Sequence, residues 1–131
     1  LRLRTERPDV KIYGAQSEHT AAMSRSLAAH RLVEIPSVPT LADGLAGQID
    51  AEALDIGEHA LDGIVTVTEK EIADAIAWFA KERNEKVEGA GACGVAAILT
   101  GKLSPGTPCA VVVSGGNIDE ARWRQIVGPK N

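Results

Sequence analysis

The chemistry open to this chain starts at a hydroxyl at the end of an apolar run. Ala110-Val111-Val112-Val113 leads into Ser114-Gly115-Gly116-Asn117, and Ile118-Asp119-Glu120-Ala121 then opens a helix. The pattern predicts a strand, Cys109 to Val113, that delivers Ser114 to a tight turn. In open α/β sheets ligands bind beyond the carboxyl ends of strands. A serine there donates one hydrogen bond and accepts others. Gly115 and its neighbour Gly116 allow positive φ and close approach of a flat ligand. The plainer reading, a Gly-Gly turn with an Asn or Asp cap, uses the same residues.

Glu88 is the second group of interest. It stands just ahead of Gly89-Ala90-Gly91-Ala92-Cys93-Gly94, where a helix dipole would stabilise an anion and where a carboxylate could equally flank a ligand. The glycines match G-x-G-x-x-G, but a dinucleotide fingerprint needs a preceding strand and an acid about 20 residues on. A charged tail, Lys81 to Lys86, precedes them, and no acid occupies 109–114. The glycines are therefore read as points where a helix closely approaches a sheet or a ligand ring.

The elements that must position these groups follow from periodicity and caps. Residues 1–9 look like the last turns of a helix whose start is missing. Val10 to Ala15 reads as a strand ending at Gln16-Ser17. Ser17 caps a helix over 18–30, with Ala21, Ala22, Met23 and Leu27 inward. Residues 33–45 are mostly loop, with a turn at Asp43-Gly44. Residues 46–61 place Ile49, Ala53, Ile56 and Ala60 on one helical face. Ile64 to Val67 is a second strand. Thr68-Glu69-Lys70-Glu71 is a capping box, and its helix buries Ile72, Ala75, Ile76 and Phe79. Residues 89–100 are small and apolar on every side, which predicts a wholly buried helix ended by Gly101.

Strands alternating with helices predict a three-layer α/β arrangement, a parallel sheet with flanking helices. Three strands leave unpaired edges that need cover, so the chain is expected to be part of something larger.

Composition narrows the function classes. The 131 residues suffice for one core, and aromatics are 3%, so Ala, Val, Ile and Leu must fill it. The net charge of −4, without a basic patch or aromatic ladder, argues against nucleic-acid binding. No apolar run approaches the ~20 residues of a membrane span, and no signal-peptide core is present. A cytoplasmic location is the default expectation. Cys93 and Cys109 read as buried free thiols. His19, His30 and His59 lack zinc-ligand spacing.

Four segments in order carry a resemblance. Tyr13-Gly14-Ala15-Gln16-Ser17-Glu18 is similar to V-G-V-E-P-E, and Thr40-Leu41-Ala42-Asp43-Gly44-Leu45 to T-I-A-D-G-[LI]. Val87-Glu88-Gly89-Ala90-Gly91-Ala92 is similar to V-E-G-A-G-A, and Val113 to Asp119 to L-S-G-G-N-[IV]-D. The set resembles the C-terminal half of the serine/threonine dehydratase and serine racemase family, pyridoxal-phosphate enzymes of fold type II. The resemblance implies that this chain belongs to the large domain of such an enzyme. It implies that Ser114 hydrogen-bonds the pyridine nitrogen, that Glu88 lies near the ring and that the Gly44 backbone passes it. Gly115 belongs to the same cofactor-binding set. A neutral hydroxyl at the nitrogen disfavours a delocalised carbanion and suits β-elimination.

The departures from the family pattern set further expectations. The Schiff-base lysine lies in an S-F-K-like motif, and Lys11, Lys70, Lys81, Lys86, Lys102 and Lys130 have no such context. The glycine-rich phosphate loop is absent too. The chain thus carries one wall of a cofactor site and no catalytic residue of its own. Pyridoxal phosphate is expected in the full-length enzyme and not on this fragment, which should be inactive alone. Several relatives bind a divalent cation through the Glu of V-E-P, a carbonyl four residues on and an Asp six on. Those positions are Gln16, Thr20 and Ala22 here, and hard cations want anionic oxygens, so no metal is expected.

The implied activity of the parent is dehydration of serine or threonine to a keto acid and ammonia, in a homodimer that includes the missing N-terminal half. The alternatives are a racemase or a lyase of another β-substituted amino acid, and a non-catalytic α/β binding module.

Overall fold

The computed structural model describes residues 2–106 and 108–129; Leu1, where the sequence places an interrupted helix, lies outside them. A short helix α1 (Arg2–Glu6) leads to strand β1 (Tyr13–Ser17), and a 3-10 turn (Glu18–Thr20) then precedes α2 (Ala22–Ala29). A loop with a 3-10 turn (Asp43–Leu45) leads to α3 (Ala51–Ala60), strand β2 (Gly63–Val67) and α4 (Glu69–Trp78). The π-helical turn Phe79–Arg83 precedes α5 (Gly89–Leu99), and α6 (Glu120–Val127) follows.

Strands β1 and β2 pair in parallel, from Tyr13 opposite Gly63 to Ser17 opposite Val67. Helix α5 lies against both strands, and α4 packs on α5. Val67, Ile72, Ala75, Ile76, Phe79, Val87, Ala92, Cys93, Ala96 and Ala97 form the core between them. Small residues on α5 let it approach closely. Helices α2 and α3 pack on each other. Arg4 fastens α1 to this frame, donating to the Ala60 carbonyl at 2.6 Å and to Asp62 at 2.7 Å. Asp62 also accepts from Ile12 N; the Arg4 and Ile12 bonds hold its carboxyl far below the usual carboxylate range.

Five expectations need correcting. The first strand is shifted to Tyr13–Ser17. The helix over 18–30 is split, because the Gln16 side chain enters its ladder. Ser24 N donates to Gln16 Oε1 at 2.9 Å, while the Thr20 carbonyl accepts from Gln16 Nε2 at 2.6 Å. Ser24 N and Thr20 O would bond each other in a continuous helix. The buried face of α3 is Leu54 and Gly57, and Ile56 is 42% exposed. Gly57 seats the Met23 sulfur and Leu27, a contact that apolar periodicity does not register. Helix α5 is buried at Gly91, Ala92, Cys93, Ala96 and Ala97 but half-open at Leu99.

The fifth correction concerns residues 109–113, which form no strand. The described sheet has two strands, which have paired with each other. The 111–114 stretch runs over the Gly91 and Gly94 side of α5, with Val111 against Gly94 and the Ser114 carbonyl against Gly91. Cys109 is accordingly exposed, and only Cys93 is a buried thiol.

Candidate functional site

The first turn of α5 brings the predicted residues together. Glu88 is its N-cap, and its amide donates to the Gly115 carbonyl at 3.2 Å. Its carboxylate Oε2 accepts from Asn117 N at 2.9 Å. The Ser-Gly-Gly-Asn turn is thus pinned to the start of α5 at two points. Gly115 has φ +83°, and a Cβ there would overlap the Glu88 carboxylate. Glycine is required on both counts. Gly44 faces the same carboxylate: a Cβ on it would lie 3.4 Å from Glu88 Oε1 and 3.2 Å from Ala90 Cβ. Three of the four predicted residues therefore meet around one carboxylate.

Ser114 is adjacent to them. Its carbonyl abuts Gly91, where a Cβ would collide with the oxygen. Its residue is exposed, and its hydroxyl has no partner among the described residues. A small pocket of about 70 Å³ beside the cluster is lined by Asp43, Glu88, Asn117, Asp119 and Arg122, among others. Arg122 N donates to the Asp119 side chain, so that carboxylate caps α6.

The Gly44 loop is held from the other side by a residue that sequence reading misses. Glu69, on the first turn of α4, accepts from Ser17 Oγ at 2.5 Å and Thr40 Oγ1 at 2.7 Å on Oε1. Its Oε2 accepts from Leu41 N at 2.5 Å. Burial alone would raise its pKa; the bonds from Ser17, Leu41 and Thr40 outweigh burial and hold it below the ordinary range. Burial first, then the Glu69 charge, push the Cys93 thiol up to about 11. In the sequence Glu69 shows only as a capping-box neighbour, because its partners lie 52, 29 and 28 residues away.

Gln16, Thr20 and Ala22, the three positions aligned with a cation site, carry no carboxylate. The Gln16 amide nitrogen occupies the Thr20 carbonyl, and Ala22 is buried without a donor atom. Among the described residues no group of three or more His, Cys, Asp and Glu side chains could hold a metal ion. The described lysine side chains lie in ion pairs. Lys11, Lys70, Lys81, Lys86 and Lys102 pair with Asp62, Asp74, Glu82, Glu120 and Glu71, and Lys130 lies outside the described residues. No described helix is long and apolar enough to cross a membrane.

Comparison with known proteins adds an independent line. Residues 1–115 match the family described as pyridoxal-phosphate dependent enzyme. The chain is 39% identical over 118 residues to an L-threonine ammonia-lyase of Thermotoga maritima, covering 89% of this chain and 29% of that protein. It is 33% identical over 130 residues to the catabolic L-threonine dehydratase TdcB of Staphylococcus aureus, covering 95% of this chain and 38% of that one. A T.th. threonine deaminase superposes with a TM-score of 0.83 at 28% identity, covering 89% of this chain and 43% of that one. Maize serine racemase superposes at 0.82 and 26% identity, covering 93% and 39%. The chain thus spans 29–38% of the length of these curated relatives, and its fold is that of fold type II.

Proposed function

Since this chain belongs to the pyridoxal-phosphate dependent enzyme family, we propose that it is the C-terminal part of an ammonia-lyase acting on serine or threonine. The observation that carries this reading is the gathering of Glu88, Gly44 and Gly115 around one carboxylate, with exposed Ser114 next in the chain and its hydroxyl unpartnered among the described residues. The residues fit one wall of a site for a planar ring. Gly44 and Gly115 pack against Glu88 and so fix the turn beside Ser114, which offers an exposed donor. When bound, the cofactor supplies the electron-withdrawing ring that makes the α-proton of an amino acid acidic.

Ser114 would hold the ring nitrogen through its neutral hydroxyl. Glu88 fixes the turn that presents Ser114, through its amide to Gly115 and its carboxylate from Asn117. Gly44 would pass the ring by its backbone, its Cβ side being filled by Ala90 and Glu88. The covalent lysine and the phosphate cradle belong to polypeptide outside this sequence. The 131 residues alone are therefore expected to be inactive and to retain no cofactor; tight binding by them would favour a free-standing binding module. A cytoplasmic homodimer goes with this reading.

Elimination is favoured over racemisation by the relatives more than 30% identical, which are named ammonia-lyases and dehydratases. The test is to assay the full-length protein with L-serine and L-threonine. Keto acid and ammonia in equal amounts are expected; chiral inversion without keto acid would overturn the assignment. We also propose that the protein needs no divalent cation at Gln16, Thr20 and Ala22. Addition of Mg²⁺ or Ca²⁺ should leave its melting temperature unchanged, and a saturable rise would refute this.

A further inference from the structure

The junction at Glu69 joins three parts of the chain that share no local sequence: the end of β1, the 40–42 loop and the first turn of α4. The direction of every bond in it is set. His19 N donates to Ser17 Oγ at 3.0 Å, and Ala42 N donates to Thr40 Oγ1 at 3.0 Å. Each hydroxyl therefore uses an acceptor site on a backbone amide and sends its own proton to Glu69 Oε1. Leu41 N, which can only donate, takes Oε2. An ionised carboxylate is the acceptor-only group that ends all three paths.

The loop so held continues into the candidate site. The Leu41 carbonyl packs against Gly89, where a Cβ would collide with it. Gly44, three residues on, lies against Ala90 and Glu88. Leu41 is thus gripped at its N–H by Glu69 and at its carbonyl by the start of α5.

We propose that Glu69 is a positioning residue of the cofactor site, holding the 40–44 loop so that Gly44 stays registered against Glu88. This rests on the function proposed above. Glu69 touches neither Glu88 nor Ser114; it acts through the loop.

In Glu69→Gln, one oxygen becomes an NH₂ donor. Either Leu41 N or the two hydroxyls then face a donor in place of an acceptor. The loop must move or its hydroxyls must reverse. The test uses the full-length protein loaded with pyridoxal phosphate, read by the visible circular dichroism of the bound cofactor and by its dissociation constant. Glu69→Gln is expected to weaken cofactor binding about tenfold and change the dichroic band. Glu71→Gln, on the same first turn but outside the site, should lower the melting temperature and leave the band unaltered.

A wild-type band and affinity in folded Glu69→Gln would overturn the proposal. If that variant fails to fold, Thr40→Val decides, because it deletes one arm of the junction; an unaltered band there refutes the role. Wild-type protein that takes up no pyridoxal phosphate would instead refute the function on which the proposal rests.

Discussion

Two hydroxyls and three backbone amides converge on or near Glu69, and each has its partner; at the turn after Val113 the Ser114 hydroxyl has none among the described residues. Both places use short polar side chains, Ser17 and Thr40 at one and Ser114 at the other. They differ in what finishes the hydrogen bonding. A satisfied buried network fixes shape, because leaving any member unpaired carries a desolvation penalty. An exposed unpartnered hydroxyl contributes little to shape and stays free for a ligand. On the proposed reading the molecule separates holding from binding, and the turn that carries Ser114 is held by Glu88 instead.

The sharpest break of that division is Gly91→Val. Its branched side chain would drive into the Ser114 carbonyl, displacing the turn from α5. Overpacking plus a strained helix start should cost roughly 3 kcal/mol or more, read by urea denaturation; a variant as stable as wild type would contradict the contact. Ser114→Ala tests the opposite quality. It should leave stability within about 0.5 kcal/mol and the cofactor bound, yet slow the proposed elimination by the full-length protein about tenfold, near the value of one hydrogen bond. An unchanged kcat removes Ser114 from the reaction.

Acid weakens the holding side. Glu69 and Glu71 both titrate below their ordinary value of 4.5 in the folded chain. Their stabilisation is complete above that value and disappears as pH falls through the lower folded one. Melting temperature should therefore drop on acidification below about 4.5, less steeply in Glu69→Gln; parallel profiles would deny Glu69 a share. Thr68→Ala removes the capping box, in which Thr68 Oγ1 accepts from Glu71 N and Glu71 Oε2 accepts from Thr68 N. About 1 kcal/mol of stability should be lost with the cofactor band intact. Lys70→Ala breaks an exposed pair with Asp74 and should shift stability by less than about 0.5 kcal/mol; a larger shift would show that this helix surface rivals the junction in holding the fold.

Local signals are legible where a residue acts on near neighbours. The Thr68 box forms as its sequence predicts, and Ile72, Ala75, Ile76 and Phe79 are all buried. The Asp43-Gly44 turn and the parallel α/β order are equally visible. The rest requires long-range knowledge. Gly57 seats Met23 without presenting an apolar side chain of its own, so periodicity rotates α3 onto Ile56. Gln16 reaches forward into the next helix. Val111 to Val113 have strand composition, but pairing needs an adjacent edge, which their sequence cannot supply. At the candidate site Glu88, Gly44 and Gly115 stand out from motifs. Glu69 does not, because its worth lies in donors from segments 28 and more residues distant.

The ribbon from Cys109 to Val113 has a practical consequence. Val112 is 86% exposed, Val113 is 42% exposed and Cys109 is an accessible free thiol. An uncharged β-branched stretch with open backbone groups is a template for another strand. Preparations of these residues by themselves should therefore self-associate with concentration, and should acquire oxidative cross-links through Cys109 unless kept reduced.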